Sequence, residues 1–338
     1  MPTDLKPLAE QTIVITGATS GNGLATAREA AKRGAALVLA ARNEEALEEI
    51  ARELRDNGAR VATCTADVAN DDDVERIAQT AIDSFGGFDT WVNDAAAAIY
   101  GRMDEITMED HRRAFEVNYF GLLKGSLVAA RHLREKGGAI INLGSVLSDR
   151  AMILQGSYSA TKHAVKAATD ALRMELQNEG APISVTLIKP SAMHTPYPEH
   201  ARNYMDRPAR LPPLLYDPRL VADAILFAAE HPRRQLYVGG NGYFISLGGR
   251  FAKRATDAAM KLLGRRLQTD EDQPAPAGTR DNLYHPREDG SIDGHQDYYV
   301  RRTSVMLEAQ KRPLVALAAG AVALALGSLS VSRARSGA

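Results

Sequence analysis

Tyr158 and Lys162 stand four residues apart in the run Tyr158-Ser159-Ala160-Thr161-Lys162, a separation that places both side chains on one face of a helix. A free phenol has a pKa of about 10, too high for efficient proton transfer near neutrality, and an adjacent ammonium favours its ionised form. Ser145 precedes Tyr158 by thirteen residues, directly after the apolar run 139–143. Its hydroxyl can donate to a carbonyl oxygen while the phenol passes it a proton. Asn118, within Val117-Asn118-Tyr119-Phe120-Gly121, reads either as a further member of this set or as a satisfied polar group at a helix kink. An exposed helical pair has the same Tyr-to-Lys spacing, so the surrounding elements decide its meaning.

Those elements begin with the stretch Thr16-Gly17-Ala18-Thr19-Ser20-Gly21-Asn22-Gly23. It follows the apolar run 13–15 and opens a helical pattern over 24–33, giving a strand, a glycine-rich turn and a helix start. Glycines let backbone N–H groups approach a pyrophosphate, whose charge the helix N-terminus favours; such turns also serve simply as connections. Further strands are expected at 37–40, 61–64, 89–92, 139–143 and 183–188, with helices at 44–57, 72–85, 109–134 and 157–178. This alternation to about residue 238 predicts a Rossmann-type α/β fold, a doubly wound parallel sheet with ligands beyond the carboxyl ends of its strands.

Together, the glycine turn, Asn118, Ser145, Tyr158 and Lys162 resemble the short-chain dehydrogenase/reductase superfamily, over roughly residues 10–240. The resemblance implies an oxidoreductase that moves a hydride between a nicotinamide cofactor and an alcohol/carbonyl pair. Tyr158 would be the acid/base, Ser145 the hydrogen-bond donor, Lys162 the holder of the nicotinamide ribose and Asn118 the keeper of a water relay. Gly17, Thr19, Ser20, Gly21, Asn22 and Gly23 would take the cofactor phosphates. Two competing classes on the same fold are a non-catalytic nucleotide sensor or scaffold, opposed by the intact tetrad, and an epimerase or dehydratase, which would need a larger substrate region.

At the end of the second strand the chain reads Ala40-Ala41-Arg42-Asn43-Glu44. The acidic residue expected of an NAD-binding member is missing, and Arg42 offers a cation to a 2′-phosphate, so NADP(H) is favoured over NAD(H); a solvated arginine is the alternative. Asp67 resembles the family's adenine contact or else caps the following helix. Asn93-Asp94-Ala95-Ala96 corresponds to the family's Asn-Asn-Ala-Gly, with Asn93 carried over as a cofactor residue and Ala96 in place of glycine. Pro190-Ser191 replaces the usual Pro-Gly, and Thr195 stands where the family places a threonine near the carboxamide or pyrophosphate.

Residues 192–217 resemble a substrate loop that closes over the ligand, with His194 and His200 as surface or substrate-facing residues. Leu147, Met152, Ile153 and Leu154 suggest an apolar wall and a lipophilic substrate, or ordinary core. The three regions expected are a catalytic domain at 1–245, a basic helix and polar linker at 246–312, and a C-terminal apolar helix at 313–338. Residues 250–267 form a basic amphipathic pattern suited to a bilayer surface or to packing; residues 268–313 read as a linker or a segment draped over the domain, and the acidic residues near 289–297 match no metal loop.

Residues 314–332 carry no charge and at ~1.5 Å per residue would just cross a bilayer or form a buried terminal helix. The basic residues before that run orient the catalytic domain to the cytoplasm, in agreement with an N-terminus lacking an apolar leader. A net charge of −1 over 338 residues argues against general nucleic-acid binding. The single Cys64 excludes an intrachain disulfide and reads as a small buried side chain. The family's helix-mediated dimers and tetramers imply association.

Overall fold

Seven short runs rich in Val, Ile, Leu and Ala, separated by helical segments, can all be buried only if both faces of one parallel sheet are covered. A computed structural model describes residues 4–270, 281–287, 290–316 and 318. Its central strands are β1 (Thr12–Thr16), β2 (Ala36–Ala41), β3 (Val61–Thr65), β4 (Thr90–Asn93), β5 (Gly138–Leu143), β6 (Ile183–Pro190) and β7 (Gln235–Val238). They lie in the order β7-β6-β5-β4-β1-β2-β3, every pair parallel. The longer helices up to β7 are α1 (Gly21–Lys32), α2 (Glu44–Asp56), α3 (Asp71–Phe85), α4 (Met108–Phe115), α5 (Leu122–Leu133), α6 (Gly156–Asn178) and α7 (Arg219–Glu230).

Strand periodicity divides the core in two. Ile13, Ile15, Leu37 and Leu39 face Leu24, Leu47, Ile50, Val221 and Ile225 of α1, α2 and α7. Val14, Val38, Trp91 and Ile140 face Val74, Ile77, Leu133, Leu172 and Leu176 of α3, α5 and α6. Cys64 is buried in this second layer.

Three departures from the sequence expectation affect the site. The helix expected over 109–134 is interrupted by a π-helical turn, Glu116–Gly121, a wide turn of the kind found inside α-helices at functional sites. The basic helix expected from 250 is two helices, α8 (Gly240–Phe251) and α9 (Lys253–Gln268), broken at Ala252 where φ/ψ is −126/49; Gly248 and Gly249 weaken the last turn of α8. The described part of the polar segment takes the draped alternative and is no separate unit. Val300–Arg301 pairs in parallel with Leu215–Tyr216, and α10 (Val305–Lys311) lies along β7, where Gln310 accepts from Tyr237 N at 3.0 Å and donates to Tyr237 O at 3.0 Å. That amide satisfies backbone groups on an edge strand that would otherwise be open. Among the described residues no helix is long and apolar enough to cross a membrane; most of the uncharged run 314–332 lies outside them.

Candidate active site

The strand order reverses between β1 and β4, and in such sheets a ligand crevice opens at the carboxyl ends on either side of that point. Here the crevice encloses about 300 Å³. Gly17 holds φ +71, and a Cβ on it would lie 2.8 Å from Ala95 Cα; a Cβ on Gly23 would lie 2.2 Å from Gly17 O. Both glycines are required by close approach, the first of the β1 turn to the segment after β4, the second of α1 to that turn. Thr19, Ser20, Gly21 and Asn22 then line the crevice with Pro190 and Thr195 opposite.

At one end lies the Tyr158 set. The Ser145 side chain, presented by the turn after β5, lines the crevice beside the Tyr158 phenol, with the Tyr197 hydroxyl near it; the two tyrosine rings meet edge to face at 5.4 Å. Lys162, one helical turn along α6, donates to Leu143 O at 2.7 Å, with its Nζ 5.6 Å from the Tyr158 ring centre. Burial raises the phenol above its ordinary range, against the Ser145 and Tyr197 hydroxyls. Burial also pushes Lys162 down to about 8, with Asp94 opposing. The expected lowering of the phenol by Lys162 is therefore corrected: in this dry pocket desolvation of the phenolate prevails, and the ammonium is directed to a main-chain carbonyl. Asp94, half-buried beside Lys162 with its Oδ2 against Gly23, is pushed up to about 7 by desolvation, with Lys162 opposing.

At the other end Arg42, just past β2, donates to the carbonyl of Asn282. Asp67 accepts from Arg113 Nη2 at 2.5 Å and from Ala69 N at 3.0 Å; burial would raise its carboxyl, but Arg113 and the Ala69 N–H hold it below the ordinary value. Asn70, not Asp67, caps α3. Asn282, Pro286 and Arg287 close this end. Asn22 Oδ1, Arg42 Nη1 and Asn282 Oδ1 are buried without a hydrogen-bond partner among the described residues. An acceptor, a cation and a second acceptor left unpaired around one crevice fit a ligand that brings hydroxyl donors and phosphate oxygens, as a nicotinamide dinucleotide does.

The family model for short chain dehydrogenase matches residues 11–205. The chain belongs to the short-chain dehydrogenase/reductase family. This NAD(P)-dependent short-chain dehydrogenase is 44% identical over 326 residues to the uncharacterized oxidoreductase YxnA of Bacillus subtilis, covering 95% of this chain and 91% of that one. Among solved structures it resembles L-sorbose reductase from Gluconobacter frateurii in complex with NADPH and L-sorbose, with a TM-score of 0.61, 25% identity and coverage of 71% and 98% of the two chains. It likewise resembles a short-chain dehydrogenase/reductase from Burkholderia phymatum in complex with NAD, with a TM-score of 0.62, 26% identity and coverage of 82% and 99%.

Three of the residues carried over from the family, Gly23, Asn93 and Asn118, do not line the dehydrogenase's crevice. Asn93 lies inside the sheet, accepting from Trp91 Nε1 at 2.8 Å and donating to Ser126 Oγ at 3.0 Å and Asn142 Oδ1 at 2.9 Å; its place in the crevice is taken by Asp94, Ala95 and Ala96. Asn118 is fully buried and holds both backbone groups of Ala97, at 2.7 and 2.9 Å, together with Thr161 Oγ1 at 3.1 Å. Its side chain thus fixes the segment after β4 to α6, and it sits in the π-helical turn, so the kink and the satisfied polar group both hold. Leu147 and Met152 line the crevice as expected of an apolar wall, whereas Ile153 is half exposed. His200 lines the crevice, and His194 bonds Gln296 O at 3.0 Å.

Sequence reasoning missed Asp94, Tyr197 as a partner of the phenol, and Gln155, which accepts from Tyr197 at 3.0 Å and donates to Gln268 at 2.7 Å. Asp94 carried a signal, a carboxylate where the family pattern has an amide. Asn282 and Arg287 carried none.

Proposed function

We propose that this dehydrogenase uses NADP(H) to interconvert a ketone or aldehyde with an alcohol, with Tyr158 as general acid/base. The observation that carries the reading is that Ser145, Tyr158 and Lys162 come together at one end of the same crevice that holds the glycine turn and Arg42. When bound, the nicotinamide supplies or accepts the hydride. Ser145 donates to the carbonyl oxygen and Tyr158 delivers its proton there. A phenol whose burial keeps it protonated at neutral pH is suited to that delivery. Lys162 serves the ribose hydroxyls, and the side chain of Asn118 keeps the post-β4 segment and α6 in register behind the phenol. Arg42, with Nη1 unpaired and Ala41 beside it, supports the preference for a 2′-phosphate. Leu147, Met152, Tyr197, Leu211 and Ile245 line the substrate end and support a lipophilic carbonyl compound.

NADPH and NADH oxidation by the purified protein, measured across a panel of apolar and polar ketones and aldehydes, tests this. Turnover with NADPH and apolar carbonyls is expected; no turnover with any member would discard the reading. Membrane attachment through residues 314–332 belongs to the same proposal and rests on sequence. Full-length protein should resist carbonate extraction from membranes while a chain ending at Arg312 does not.

A further inference from the structure

The crevice has a wall that the family match, ending at residue 205, does not include. Residues 281–287 cross the adenosine end: Asn282 N donates to His200 O at 2.8 Å, Arg113 Nε donates to Leu283 O at 3.0 Å, and Asn43 Nδ2 donates to Arg287 O at 3.1 Å. Leu283 is wholly buried in an apolar cluster with Ala97, Ile99 and Val117. Tyr284 donates to Asp110 at 2.8 Å. Farther along, Ser291 O accepts from Gly21 N, the first amide of α1, at 2.8 Å. Arg219 clamps Asp293 with two bonds of 2.9 Å. This is a docked strap, anchored at both ends of the nucleotide half of the crevice.

The anchoring uses the strap's backbone and leaves one side-chain atom over. Asn282 gives its N–H to His200 and its carbonyl to Arg42, but its Oδ1 is buried without a partner among the described residues and the residue lines the crevice beside Arg42. A buried amide oxygen left unpaired costs about as much as a lost hydrogen bond, unless a ligand donor meets it. The Arg42 Nη1 alongside is unpaired as well. We propose that the strap residues 281–287 and 290–296 are part of the nucleotide site and that Asn282 is a nucleotide-binding residue. Its side-chain amide accepts from, and donates to, the adenosine ribose and its substituent while Arg42 meets phosphate charge. Binding the nucleotide and docking the strap then stabilise each other.

The inference rests on the nucleotide occupying this crevice and is separable from the NADP(H) preference. Calorimetry of the full chain with NADPH and with NADH, native against Asn282→Ala, reads it, because that variant keeps both backbone anchors and deletes only the unpaired amide. Affinity for the nucleotide that the native protein binds should fall about tenfold with the melting temperature of the free protein unchanged. Hydrogen exchange on the native chain supplies the second arm and does not depend on any variant folding: amides of 281–287 and 290–296 and the Gly21 amide should slow when nucleotide is added. Equal native affinity for the two nucleotides, both weakened in the variant, would remove the NADP(H) reading and keep this one. Unchanged affinity in Asn282→Ala, or strap exchange indifferent to nucleotide, would overturn it.

Discussion

The two ends of the crevice are built in opposite ways. The catalytic end is assembled from neighbours in the chain: β5, the turn carrying Ser145, and α6 carrying Tyr158 and Lys162 follow one another directly. The nucleotide end is assembled across the chain, where Arg42 meets Asn282 at a separation of 240 residues and Arg113 meets Leu283 at 170. Chemistry that needs fixed atoms sits on a helix and a strand end, rigid because the core is dense beneath them. Recognition of the adenosine half depends on a segment without regular structure, held by backbone hydrogen bonds and a few ion pairs. The first should tolerate changes in the second.

The largest break in that contrast is Tyr158→Phe. It removes the proton donor and leaves the nucleotide end intact, so turnover should fall by about 10²–10⁴-fold while nucleotide affinity holds; comparable turnover on any accepted substrate would sink the assigned role. Next is Arg42→Ala. Loss of a charged phosphate contact should weaken NADPH by roughly 1.5–3 kcal/mol with a smaller effect on NADH and on kcat, and an equal loss for both nucleotides would show that Arg42 does not read the 2′-phosphate.

Asp94→Asn sharpens the comparison at the junction of the two ends. Because the folded protein holds this carboxyl at about 7, above its unfolded value, the native state binds the extra proton between the two values, and stability drops as pH rises through that window. The Asn variant should lose that downward slope, seen as a melting temperature that changes less between pH 4 and 7; parallel curves for the two proteins would refute the raised carboxyl. The smallest effect is expected from Arg219→Ala. Its pair with Asp293 is half exposed, worth about 1 kcal/mol or less, so global melting should hardly move while hydrogen exchange around residue 293 speeds up. A large loss of stability would mean that the strap carries the fold.

The same contrast explains what could be read from the residues. The sheet, the glycine turn and the Ser145–Tyr158–Lys162 set were legible because each is a local pattern: period two, period 3.6, or a fixed spacing on one helix. Asn93 was misplaced because a family pattern records position in the chain and not the direction of a side chain. As the last residue of β4, Asn93 points away from the crevice toward α5, where a Cβ on Gly125 would sit 2.3 Å from its Oδ1. The raised phenol escaped because its cause is burial, a tertiary property. The strap could be read only as a linker or a draped segment, since a polar run with proline and glycine looks the same free or docked until its partners are known.

The Gly21–Ser291 bond has a consequence for the order in which the protein becomes itself. As the chain is synthesised from its N-terminus, the reacting side chains are all present by Lys162, and the last strand of the sheet by Val238, yet the carbonyl that meets the first amide of α1 arrives some fifty residues later. A nascent chain paused between those points should already hold the sheet and the phenol, and should bind nucleotide weakly. Acquisition of tight nucleotide binding would then report the arrival of Ser291 at α1.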